Sequence, residues 1–266
     1  MIANTVLLLR NRRGYLFRRV YPNYIHGWVY NEIRDTPIGR YYHEAQKSPF
    51  SIKEIQQDRE GLLLLQIIFF DEKVMLAFLR QVEKGKEVRL GQHYYSVEET
   101  VMHHDDHPNA GIVSYDVFYS LPVAESIEMH FQYTAFNSGR NTVTLPFPDK
   151  IVNSLLSKWN EAAPEAIEST AEYRKRLAAG LLISSHHIHS ESYPIRKEVT
   201  VNTFSGRAVM NNVHEIGSLR RVLNRLLYFS HYSGVGWKCS FGMGRVNLNP
   251  APNSLQPRSG ERRRPL

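Results

Sequence analysis

Four glycines fall within eleven residues near the end of the chain, in the stretch SGVGWKCSFGMGRV. Gly234 and Gly236 precede, and Gly242 and Gly244 follow, a short segment holding Trp237, Lys238 and Phe241. Glycine reaches positive φ at no steric cost and lets another backbone come close. Successive N–H groups in such a segment can form a concave anion site. Lys238 adds a cation, and Trp237 and Phe241 offer either core packing or a stacking surface. The G-K-[ST] ending of a Walker loop is absent. A glycine-rich β-hairpin with no ligand is the competing reading. Just upstream, Ile216, Leu219, Val222, Leu223, Leu226 and Leu227 share one broad helical face. Arg221 and Arg225 are i, i+4 neighbours on the opposite face. A solvated helix has the same look, but beside a glycine loop the pair also suits phosphate contact.

Histidines supply the other candidate chemistry. His103, His104, Asp105, Asp106 and His107 form a dense polar run that reads either as metal ligands or as an ordinary loop tip. His186, His187 and His189 lie in an expected strand, where alternation sends His187 and His189 to one face, toward a ligand or toward solvent. His26 sits beside the apolar face of the first helix. It is either a boundary histidine packed on Trp28 and Tyr30 or a group for proton transfer.

The elements that must position these groups follow from periodicity. Thr5 to Leu9 reads as a buried strand, with a second extended piece through Tyr15 to Tyr21. Asn23 is a candidate cap for a helix in which Ile25, Trp28, Val29 and Ile33 recur on one face, and Pro37 interrupts that pattern before a further turn to Glu44. PFSIKEI is extended, Leu62 to Phe70 is a strong strand, Lys73 to Glu83 an amphipathic helix, and Val88 marks a closing strand. The second half repeats the order: a strand over Ile127 to Ala135, a helix over Pro148 to Asn160, and strands over Leu181 to His189 and Lys197 to Val209. A helix over Glu215 to His231 and a strand over Trp237 to Leu248 complete it. Two β-α-β-β-α-β units describe an α+β protein of two tandem ferredoxin-like (RRM-like) domains, 1–122 and 123–249, joined near Leu121 and Pro122. From Pro250 the tail 250–266 has almost nothing to bury and is expected to be disordered.

Composition sets bounds. The 266 residues suffice for one large domain or two small ones. Leu62 to Phe70 is too short to span a bilayer, and the N-terminus lacks a cleavable small-residue site, so a cytoplasmic protein is expected. Cys239 is the sole cysteine, which excludes an internal disulfide and a thiolate metal cage. Of the net charge of +7, the tail supplies 4 − 1 = 3, from Arg258, Arg262, Arg263 and Arg264 against Glu261. The body keeps about +4, crowded into Arg10, Arg12, Arg13, Arg18 and Arg19 and into Arg220, Arg221 and Arg225. Two separate basic clusters suit a groove for a polyanion.

The pattern G-x-G-x5-G-x-G after an amphipathic helix resembles the signature of the repeat-associated RNA-binding superfamily. YYHEAQKSPFS is similar to a block in which a histidine-glutamate pair precedes a Pro-Phe-Ser strand. Together they resemble the CRISPR repeat-processing endoribonucleases, the sixth Cas family. The resemblance implies an RNA hairpin (CRISPR repeat RNA, or pre-crRNA) held by tandem domains and cut at the base of its stem, with no metal or cofactor. It places the family's histidine on His43 and leaves His26 or Lys47 as the assisting group. RNA carries its own nucleophile, the 2′-OH, so an imidazole that moves a proton and a cation that steadies phosphorane charge suffice. Two alternatives differ in chemistry. One is a non-catalytic RNA-binding subunit working with other CRISPR effector subunits; the other is a metal-dependent nuclease or phosphodiesterase built on 103–107.

Overall fold

A computed structural model describes residues 1–12, 20–58, 60–139 and 141–252. The extended piece expected through Tyr15 to Tyr21 falls mostly outside these residues, and the tail from 253 lies wholly outside them. The first half runs β1 (Ile2–Asn11), α1 (Pro22–Ile33), α2 (Pro37–Glu44), β2 (Phe50–Gln57), β3 (Leu62–Phe69), α3 (Glu72–Leu79), β4 (Glu87–Leu90) and β5 (His93–Val101). A short β6 (Gly111–Val113) and α4 (Val117–Ser120) lead to the second half. That half runs β7 (Ser126–Thr134), β8 (Phe136–Ser138), β9 (Asn141–Val143), α5 (Pro148–Ala162), α6 (Ala171–Ala179), β10 (Leu181–Arg196), β11 (Val199–Asn212), α7 (Gly217–Ser233) and β12 (Arg245–Asn249).

The strand order β2-β3-β1-β5-β4 in one sheet and β10-β11-β7-β12 in the other is the antiparallel ferredoxin-like arrangement made twice. β1 and β3 are buried along nearly their whole length, because helices cover one face and Val6, Val101 and Ala110 pack on the other. Their sequences are accordingly continuous apolar runs rather than alternating ones. Helices α1 and α3 close the first core through Ile25, Trp28, Val29 and Phe78, which pack with Phe69 of β3. Helices α5 and α7 close the second through Leu155, Trp159, Leu223 and Phe229. Ile2 and Ile68 of the first sheet, with Tyr115 and Phe118 of the linker, belong to this second core. Asn224 of α7 fastens the linker, accepting from Ala124 N at 3.0 Å and donating to Pro122 O at 3.1 Å. Among the described residues no helix is long and apolar enough to cross a membrane.

Four local expectations are corrected. Pro22 occupies the first turn of α1 and Tyr21 its N-cap, so Asn23 is inside the helix. The strand at Val88 is an edge hairpin partner, and β5 is the strand that closes on β1. α6 is an added helix whose only buried residue is Leu177, too little to leave an apolar stripe. Only Arg245–Asn249 of the Trp237 to Leu248 span is strand; Cys239–Phe241 is a 3₁₀ turn.

Candidate nucleic-acid interface and active site

Helix α2 carries His43 and is fixed at both ends. Thr36 caps it, accepting from Gly39 N at 3.1 Å, and Pro37 takes the first turn, where no N–H is needed. At the other end Lys47 N donates to Tyr42 O and Gln46 N to His43 O, both at 3.2 Å, the paired bonds of a Schellman ending. Tyr42 Oη donates to Asp71 Oδ2 at 2.8 Å, while the other oxygen of Asp71 caps α3 by accepting from Lys73 N and Val74 N. Tyr30 Oη donates to Lys47 O at 2.8 Å, fastening the segment after α2 to α1. His43 itself stays exposed on this braced helix. Tyr30, Tyr42 and Asp71 were not foreseen from the sequence, since a tyrosine hydroxyl bonded 17 or 29 residues away leaves no periodic trace.

The glycine loop folds back into the protein. Val235 N donates to Gly244 O at 2.7 Å, Gly244 N to Tyr133 O at 3.0 Å, Trp237 N to Ala135 O at 2.8 Å and Gly236 N to Ser154 Oγ at 2.8 Å. Phe241, Gly242 and Met243 donate to carbonyls of the loop itself. Most N–H groups of the expected anion nest are therefore spent on the protein's own acceptors. The glycines serve close approach: a Cβ on Gly236 would stand 2.4 Å from Ala135 O, with φ at +87°. What the loop presents outward is side chain. Lys238 Nζ lies 4.6 Å from the Trp237 ring centroid and 4.5 Å from that of Phe241. Partial burial, then Arg196, lowers the Lys238 pKa.

Side chains of the first half and of α5 anchor the loop. His26 stacks on Phe241 with centroids 3.9 Å apart, and its Nδ1 donates to Ser240 O at 3.2 Å. Burial drives its pKa down to about 4, the Ser240 hydrogen bond opposing and Lys238 adding to the fall. His26 is thus a neutral clasp at neutral pH. Ser51 Oγ donates to Tyr232 O at 2.9 Å, and Lys53 Nζ to the carbonyls of His231 and Val246. Burial, then Arg245, lowers Lys53 to about 7, and burial, then Lys53, lowers His231 to about 2. Lys158 Nζ reaches Ser233 O at 3.3 Å, Gly234 O at 3.1 Å and Cys239 Sγ at 2.8 Å.

These histidines make the junction acid-sensitive. Their folded pKa values lie below that of an unfolded histidine, so in acid the unfolded chain binds protons the folded one refuses. Stability is complete above an unfolded value of about 6.5 and falls as pH drops from there toward about 4 for His26. The His26 share amounts to roughly 2 kcal/mol between pH 7.5 and 5. Denaturation midpoints across that range should fall more steeply for the parent than for His26→Phe, which keeps a ring on Phe241 and does not titrate. Equal slopes would remove His26 from this account.

Between α2, α5 and the glycine loop lies a cleft of about 320 Å³, lined by Tyr42, Gln46, Lys47, Ser48, Lys158, Trp237 and Lys238 among others. Three lysines against Glu161 make its charged lining cationic. His43 lies in the last turn of α2, three and four residues before Gln46 and Lys47. The structure therefore brings Lys47, Lys238 and the glycine loop together beside the helix of His43, with His26 beneath them against Phe241.

Arg221 and Arg225 are placed elsewhere. They precede Gly234 by 13 and 9 residues, about 20 and 14 Å along a helix axis. The Arg225 guanidinium lies 3.6 Å from the centroid of Tyr119, with Nε buried, and Arg221 is exposed. Arg10 and Arg12 pair with Glu98 and Glu87, while Arg13, Arg18 and Arg19 lie outside the described residues. The 103–107 run is a turn in which His107 N donates to His103 O at 3.2 Å and His107 Nδ1 accepts from Asn109 N at 3.1 Å. Among the described residues, no three or more His, Cys, Asp or Glu side chains are grouped to hold a metal ion. His187 and His189 are exposed on β10, opposite Arg207 and Ser205.

Residues 130–246 match the family model of the CRISPR-associated endoribonuclease Cas6. A curated relative, the CRISPR-associated endoribonuclease Cas6 of Streptococcus thermophilus, is 25% identical over 234 residues, 84% of this chain and 89% of that protein. The product complex of a Thermus thermophilus Cas6 superposes with a TM-score of 0.81 at 23% identity, covering 93% of this chain and 100% of that one. A second Cas6 product complex gives 0.77 at 24% identity, with 93% and 98% covered. The chain is similar to the Cas6 endoribonucleases in sequence and shares their fold.

Proposed function

We infer that this chain is a CRISPR-associated endoribonuclease of the Cas6 kind, which binds repeat RNA and cuts it beside its stem without a metal ion. The observation that carries the reading is the pairing of an exposed histidine on a braced helix with a cleft whose charged lining is cationic. His43 takes the proton of the 2′-OH next to the scissile phosphate. The 2′-oxygen bonds to phosphorus, the P–O5′ bond breaks, and the departing 5′-oxygen gains a proton from water. The products are a 2′,3′-cyclic phosphate, opening to a 3′-phosphate, and a 5′-OH. Lys47 and Lys238 steady the extra charge of the phosphorane, which in a partly dry cleft is worth more than in bulk water. His26 holds the loop bearing Lys238 against α1. Phosphate contacts fix the RNA in place and unpaired bases carry its sequence selectivity, since the deep, narrow major groove of A-form RNA admits side chains poorly.

The reading is tested with a labelled repeat transcript in EDTA. The expected result is one discrete cut leaving a 5′-OH that polynucleotide kinase can label without prior phosphatase treatment. Cleavage that appears only when a divalent metal is restored would sink it, as would tight binding with no cut under either condition.

A further inference from the structure

We propose that Gln46 is a specificity-determining residue that reads the edge of an unpaired base beside the scissile phosphate. The proposal rests on the endoribonuclease reading for where that phosphate lies. It starts from the backbone. Gln46 stands at the position after the α2 cap with φ at +52°, where both Schellman bonds come from main-chain groups that glycine would supply equally well. An L side chain is disfavoured there, so glycine would relieve the helix end. Among the described residues only Tyr133 and Lys238 share a left-handed backbone without being glycine. Each of those has local support: Tyr133 N donates to Ser205 Oγ at 2.8 Å and its ring packs on Tyr193, while Lys238 lies against two aromatic rings.

The Gln46 side chain has no such support. Its side chain is exposed, and no hydrogen bond of its carboxamide to a described residue is formed. It lines the cleft with Lys47, Lys158 and Lys238, three residues beyond His43. Those lysines can hold phosphates but carry no sequence information. A carboxamide presents a donor and an acceptor side by side, the pattern that matches a base edge. The helix end is thus strained to keep a neutral reading group where its cationic neighbours fix the backbone of the RNA.

The experiment compares the parent, Gln46→Gly and Gln46→Glu. Each is assayed for binding to a repeat carrying a 2′-deoxy sugar at the scissile nucleotide, and to the same repeat with each nucleotide flanking the cut replaced in turn. Gln46→Gly should raise Tm by roughly 2–4 °C, yet bind the parent repeat about tenfold more weakly. Discrimination at one flanking position should vanish. Gln46→Glu, similar in shape but without the amide donor, should lose the same discrimination without the gain in Tm. Equal weakening toward every repeat, or a lower Tm for Gln46→Gly, would overturn the proposal. Because the sugar blocks cleavage, the binding comparison decides on Gln46 even if the parent leaves an all-ribose repeat uncut, a result that would overturn the endoribonuclease reading instead.

Discussion

Replacing His43 by alanine should slow cleavage by about 10²–10⁴-fold, the usual worth of a positioned proton-transfer group, while leaving repeat binding within a factor of a few. Binding survives because His43 is exposed and its side chain makes no hydrogen bond or ion pair to a described residue; Tyr42 and Tyr30 brace the helix. Single-turnover cleavage and a filter-binding isotherm on the same preparation separate the two effects. If binding and cleavage fell together, His43 would be holding RNA rather than moving a proton. Unchanged cleavage would remove it from the mechanism altogether. Asp71→Asn is a useful companion, since it keeps an acceptor for Tyr42 Oη and should cost far less than His43→Ala.

The second large effect belongs to the glycine loop. An alanine Cβ at position 244 would stand 2.0 Å from Val235 O and 2.9 Å from Cys239 Sγ, with φ at +64°. The backbone cannot step aside, because Gly244 O accepts from Val235 N and Gly244 N donates to Tyr133 O. Gly244→Ala should therefore cost about 4 kcal/mol or more, in the exceptional range for one methyl group, read as a shift in the urea midpoint. Gly27→Ala is the contrasting case. Nothing lies within 4 Å of its added Cβ, and it sits inside α1, so the change should stabilise by about 0.5–1 kcal/mol. A mild effect at 244 would mean the loop is not anchored as described.

The fold was legible wherever burial is periodic. β1, β3, α5 and α7 each carry a run or a stripe that only one kind of element can bury, and the repeated β-α-β-β-α-β order followed from them. The misassigned closing strand shows the limit: Val88 and Leu90 alternate with charged neighbours as clearly as β5 does, and only pairing with β1 decides between them. The glycine pattern marked the right segment but not its use, because φ > 0 serves an internal hydrogen bond as well as an anion. Nothing periodic singles out His43, which came through the likeness of the block around it. Lys158 was invisible, its partners on the loop lying 75 to 81 positions away. The end of α2 at Glu44 was legible, but the left-handed backbone of Gln46 just past it was not, since no glycine marks it.

The anchors between the two halves share a property that bears on divergence. His26, Ser51 and Lys53 all donate across the junction to main-chain oxygens, those of Ser240, Tyr232, His231 and Val246. Every amino acid presents that oxygen at the same place, so the acceptor side can change identity freely while the joint holds. Only the donor side is under chemical constraint. Such a joint tolerates drift in half of its members.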